Sequence, residues 1–141
     1  MTDDRFIETV RYQGLYPTRE EAAYVTRIAL RTLARQLSDA DRADLAAKLP
    51  PGVARHLTAR SAAASPLTGQ GLVEVMTRSL PRATPANARW GAATVFTLAA
   101  RLAGTELVFR LIKGLPEGYA PLFGPGYERP VASNSGTPSR I

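Results

Sequence analysis

A short corner occurs twice in this sequence. Leu49-Pro50-Pro51-Gly52 closes one apolar run, and Leu115-Pro116-Glu117-Gly118 closes another 66 residues later. A proline disfavours helical geometry in the residue before it, so each corner forces the chain to stop and turn. Two such stops in register favour a chain built from two similar units. Aligned without gaps at that offset, residues 6–57 and 72–123 are identical at ten positions, including Thr18/Thr84, Leu49/Leu115 and Gly52/Gly118. In an alanine-rich chain identity is weak evidence; residue type is stronger. Ile7 aligns with Val73, Val10 with Met76, Tyr24 with Trp90, Leu30 with Phe96, Leu45 with Leu111 and Leu57 with Phe123. Start signals, apolar positions and stop signals agree, as they do in a duplicated supersecondary unit.

The units read as helices throughout. Phe6, Ile7 and Val10 give residues 3–13 a one-sided apolar spacing, broken by Gly14 to Pro17. Thr18 with Glu21 forms a capping box that opens a helix running to about Leu37, with Val25, Ile28, Ala29 and Leu33 on one face. Ser38, backed by Asp39 and Asp41, caps a third helix that carries Leu45 and ends before Pro50. Val53 to Leu57 is one more short turn. Residues 58–70 are rich in Ala, Ser, Thr and Gly and read as a linker, with Ala59 to Ala64 able to extend a helix. The pattern then restarts at Leu72. Thr84-Pro85 opens a long helix to about Ala103, Gly104 ends it, and Thr105 to Lys113 forms the next. From residue 124 the chain is Gly, Pro, Ser and Asn without periodicity. The expectation is an all-α fold: repeat one at 5–57, the linker, repeat two at 71–123, packed as a single helical-bundle domain over 1–123, then a disordered tail at 124–141.

Composition narrows the chemistry. The 141 residues include no cysteine and one histidine, His56, which removes thiolate catalysis, disulfides and multi-histidine metal sites. The acidic start, Met1-Thr2-Asp3-Asp4-Arg5, does not resemble a secretory signal. The longest nearly apolar stretch, 91–102, carries Arg101 and falls short of the ~20 residues that span a bilayer. The chain reads as a cytoplasmic protein with no membrane contact, no cofactor and no small-molecule substrate. Its net charge of +6 comes from sixteen arginines and two lysines, spread thinly along the chain. This is compatible with an anionic partner without pointing to one.

Here a resemblance enters. Leu49-Pro50 after Ala46-Ala47-Lys48, and residues 114–123 (Gly-Leu-Pro-Glu-Gly-Tyr-Ala-Pro-Leu-Phe), are similar to the two corners of a bacterial family known as domain of unknown function 2267. The resemblance covers about residues 5–123. It implies two copies of a helical unit, and it carries no activity or site residue to transfer. The first corner departs from the family pattern at Pro51-Gly52, which implies a shorter closing helix.

No convergent acid, base or nucleophile is legible. His56 follows the first corner with no partner at local spacing, and its counterpart is Leu122. Glu8 and Glu74 recur and read as exposed positions on the first helix of each unit. Arg27, Arg31 and Arg35 stack on one helix face as a candidate anion-binding stripe, with Asp39, Asp41 and Asp44 as internal acids that would offset it. The second unit has Ala93, Thr97 and Arg101 there instead. The units differ most in their third helices, where Leu107, Val108 and Phe109 cover several directions of one helix. That helix is expected to lie centrally or, with Trp90, to present a contact patch. The leading reading is a non-catalytic module working by protein contact or as a homo-oligomer. The alternative is a basic nucleic-acid- or anion-binding regulatory module.

Overall fold

A computed structural model describes residues 1–59 and 65–127. The described residues are helical with no strand. The helices are α1 (Asp3–Gly14), α2 (Arg19–Ala34), α3 (Asp39–Ala46), α4 (Pro51–Thr58), α5 (Gly69–Ser79), α6 (Pro85–Ala103), α7 (Thr105–Gly114) and α8 (Ala120–Phe123), followed by a 3-10 turn at Pro125–Tyr127. No helix among the described residues is long and apolar enough to cross a membrane.

Hydroxyl caps fix most of the starts. Thr2, Thr18, Ser38, Thr68 and Thr84 each accept from the backbone N–H three residues on, at 3.0–3.1 Å. Thr2 and Thr68 are 66 apart, as are Thr18 and Thr84, and α1, α2 and α3 begin 66 residues before α5, α6 and α7. In the packing, α1 and α4 lie on α2, and α5 and α8 lie on α6; α3 packs on α4, whereas α7 packs on α6 rather than on α8. The two sets meet where α2 packs on α5 and α6, α1 on α6 and α3 on α7.

The corners seat on the starts of the first helices. Asp3 Oδ1 accepts from Gly52 N–H at 2.8 Å. At the second corner Gly69 N–H donates to the Glu117 carbonyl at 2.8 Å. Gly118, at φ +97°, brings its carbonyl so close to Gly69 that a Cβ on Gly69 would lie 2.2 Å from it. Glycine is needed at both positions, for the angle at one and the space at the other.

The core runs continuously through all eight helices. Of the six aligned pairs of matching type, five are buried on both sides; Leu30 and Phe96 are fully so, and Phe96 stacks on Phe123 at 5.4 Å. The sixth pair, Tyr24 and Trp90, remains near the surface.

Several expectations need correction. The α2 helix ends at Ala34, and Leu37 is buried from the turn that follows. The expected short turn after Pro50 is the eight-residue helix α4, started by proline at its first position. Leu67 N–H donates to Gln36 Oε1, and Tyr119 Oη donates to the Leu67 carbonyl, so the end of the expected linker is pinned to both halves. Residues 60–64 lie outside the described residues. The ordered chain passes the expected limit at 123: Tyr127 packs edge-on against Phe109 at 5.2 Å. The rest of the expected tail, 128–141, is outside the described residues. Finally, the buried centre is α6, which packs on α1, α2, α5, α7 and α8. The α7 helix is amphipathic, with Val108 and Leu111 inward and Phe109 and Arg110 outward.

Candidate functional site

The residues expected to form one contact patch do not gather. Val108 is fully buried and cannot be surface. Leu107 is half-buried beside Lys48 and Arg110, between α3 and α7. Phe109 is exposed but partly covered by Tyr127. Trp90, 52% exposed, belongs to a different surface, where the α1–α2 and α5–α6 connections meet.

That surface is a cleft of about 760 Å3. Its walls are Leu15, Tyr16, Tyr24, Glu20 and Glu21 on one side and Pro81, Arg82, Asn87 and Trp90 on the other. Many of these residues form pairs 66 apart: Leu15 with Pro81, Tyr16 with Arg82, Glu21 with Asn87, Tyr24 with Trp90. The aromatic anchors are reciprocal. Tyr24 Oη donates to the Ser79 carbonyl at the end of α5 at 3.2 Å, and Trp90 Nε1 donates to the Gly14 carbonyl at the end of α1 at 2.9 Å. Each ring is thus tied by its polar tip to the other half, which leaves ring surface toward the cleft.

Gly91 makes the close approach possible. A Cβ there would lie 2.9 Å from both Tyr16 Oη and Val25 Cγ1, so its absence lets Tyr16 lie against α6. Burial, and then the charge of Glu21, push the Tyr16 phenol up to about 12, so it stays a neutral hydroxyl. That hydroxyl has no hydrogen-bond partner among the described residues.

Two non-glycine residues among those described have positive φ, Leu15 at +60° and Arg82 at +56°, and both line the cleft. Leu15 sits in the left-handed region because α1 ends there: Tyr16 N–H bonds the Arg11 carbonyl and Leu15 N–H bonds that of Tyr12. A left-handed leucine costs about 1–2 kcal/mol. Leu15 is nevertheless 80% exposed, so burial does not offset that cost.

Arg27, Arg31 and Arg35 follow one another along α2 and its C-cap, but the acids are not where the spacing suggested. Asp41 and Asp44 bind Arg110 of α7, and Asp39 binds Arg42. The next helix turns its carboxylates away from α2 to bridge the two halves. Arg27 stacks over the Tyr24 ring at 4.8 Å. Arg31 and Arg35 are exposed, with Arg35 at the C-terminal end of α2. Neither Arg27, Arg31 nor Arg55 meets a carboxylate among the described residues. Their common neighbour is His56. Burial, followed by Arg31, Arg55 and Arg27, holds its imidazole below the ordinary value. Its Nδ1 is enclosed and has no hydrogen-bond partner among the described residues. Glu8 is engaged by Arg11 and Arg19, and Glu74 is exposed. No group of three potential metal-ligating side chains occurs among the described residues.

The sequence aligns Tyr24 with Trp90 and places only Trp90 in a contact patch, together with α7. The signal for the cleft was in that pair, together with the unbroken Gly-Leu-Tyr-Pro run at 14–17. What it lacked was the packing of α2 on α6. The profile of the family described as Uncharacterized conserved protein (DUF2267) matches residues 3–122, and the chain belongs to that family. No curated protein matches it.

Proposed function

We propose that this DUF2267 chain is a non-catalytic module that acts through protein–protein contact, and that the cleft between the two inter-helix connections is its recognition site. In this reading the chain is two copies of one four-helix unit, related by an approximate twofold axis through the cleft. The observation that carries it is the convergence of Leu15, Arg82 and the Tyr24/Trp90 pair on one surface. Strained backbone conformations concentrate at binding sites, and here both, Leu15 and Arg82, lie on the cleft. Exposed apolar and aromatic side chains around a concavity are what a docking surface needs. Of the patch expected from the sequence, this reading keeps Trp90 and leaves Leu107, Val108 and Phe109 of α7 outside the site.

A photo-crosslinker tests this: Leu15→p-benzoylphenylalanine, expressed in the native cell. A discrete adduct heavier than the chain, weakened by Trp90→Ala, is expected. Two chain masses would identify a homo-oligomer. No adduct at position 15, with one formed from the same probe at position 109, would return the contact to α7.

A second reading has its own observation. Arg27, Arg31 and Arg55 converge near His56 without carboxylates, which suits an anion such as a nucleic-acid phosphate. A DNA titration at rising salt discriminates: binding that weakens steeply with salt and disappears in Arg27→Ala/Arg31→Ala supports it. Weak binding unchanged by those substitutions removes it.

A further inference from the structure

The cleft carries information about what enters it. Its two acidic side chains, Glu20 and Glu21, lie in the first turn of α2 and are exposed. No ion pair engages either of them among the described residues, whereas Asp4, Glu8, Asp39, Asp41 and Asp44 are each held by an arginine. Asp3, Glu74, Glu106 and Glu117 also lack an ion pair among the described residues, but Glu20 and Glu21 are the ones that line a cleft beside three aromatic rings, in a chain of net charge +6. Two of the rings, Tyr24 and Trp90, are held by the Ser79 and Gly14 carbonyls, so they offer faces rather than polar tips. One of them already accepts a guanidinium, since Arg27 lies over Tyr24. Tyr16 adds an oxygen with no hydrogen-bond partner among the described residues, close enough to Glu21 to feel its charge.

Aromatic faces flanked by carboxylates bind cations, and long basic side chains lay their aliphatic stems on such rings. Arg82 on the far wall disfavours a second cation there and suits a backbone carbonyl. The volume fits a side chain with its neighbours, within the ~300–1,000 Å3 of ordinary ligand sites.

We propose that the cleft takes an arginine or lysine side chain presented by an apolar segment of a partner protein. The cation lies between the Glu20 and Glu21 carboxylates and the Tyr16 hydroxyl, and the stem lies along Trp90. This rests on the protein-contact reading and gives it a ligand chemistry.

Trp90 is the chain's one tryptophan, so its fluorescence reports the cleft directly. The full chain is titrated with a blocked Ala-Leu-Arg-Leu-Ala peptide and with the same peptide carrying Glu at its centre. The arginine peptide is expected to change Trp90 emission saturably, and the glutamate peptide to bind at least roughly tenfold more weakly. Glu20→Gln/Glu21→Gln, both at exposed positions, weakens the arginine peptide by a similar factor with an unchanged circular dichroism spectrum, and Glu74→Gln does not. A flat titration, equal binding of both peptides, or an unaffected double variant overturns the proposal. If the peptide fails while the position-15 crosslink persists, the ligand chemistry falls and the contact reading stands. If both fail, both fall.

Discussion

Gly69→Ala separates a seated corner from a merely adjacent one. The added Cβ would lie 2.2 Å from the Gly118 carbonyl oxygen and 2.5 Å from its carbon, both backbone atoms that cannot swing aside. An ordinary C···O contact is about 3.3–3.6 Å, so α5 and the corner must part by roughly 1 Å. That separation breaks or weakens the 2.8 Å bond from Gly69 N–H to Glu117. Overpacking of this kind costs about 1–3 kcal/mol and the lost hydrogen bond about 0.5–1.5 kcal/mol. Alanine returns about 0.5–1 kcal/mol through its better helix propensity. The net expectation is a loss of about 1–3 kcal/mol in urea denaturation followed by far-UV circular dichroism. Gly71→Ala is the control in the same helix. Its Cβ would meet Leu67 at 3.4 Å and Thr68 Oγ1 at 3.5 Å, near ordinary contact, so it should stabilise by about 0.4–1 kcal/mol. Equal or reversed effects of the two substitutions would refute the seating of the corner.

Three further predictions follow from the same packing. Phe96→Ala, at a fully buried ring stacked on Phe123, should cost about 3–5 kcal/mol in the same denaturation assay, because α6 is the centre of the core. The native His56 imidazole is harder to protonate than the unfolded one, so its contribution to stability is whole above pH 6.5 and declines as pH falls below it. Thermal melts across that range should show the decline, and His56→Leu should remove it. Tyr16 and Tyr119 are both pushed up to about 12, mainly by burial, so the fold should lose stability as pH rises from 10 toward 12. Ultraviolet titration should show two of the five tyrosines ionising near 12, one removed by each of Tyr16→Phe and Tyr119→Phe.

Local signals in the sequence carried the helices, because a hydroxyl three residues before a backbone donor, or a proline at a stop, acts within one turn. Thr18, Ser38, Thr84, Pro50 and Gly104 all sit where local chemistry put them. Burial was less legible. Leu107-Val108-Phe109 suggested a helix covered on several sides, yet only Val108 of the three is fully enclosed, since which neighbours cover α7 is decided by long-range packing. The Asp39, Asp41 and Asp44 pairings went wrong for the same reason. Their spacing allowed contact with α2, and the geometry gave two of them to an arginine 66 or more residues away. The cleft was the least legible feature. Trp90 was legible as a contact residue but beside α7, and only the meeting of the two connections makes it, with Tyr24, a wall of the cleft.

The most direct test of the cleft as recognition site is residue-resolved: amide chemical shifts of the isotope-labelled chain during titration with the partner recovered through position 15. Perturbations should concentrate at residues 14–25 and 80–91 together, because both connections form one surface. Shifts confined to α7, or to the Arg27–Arg31–Arg55 face with the connections silent, would contradict the account.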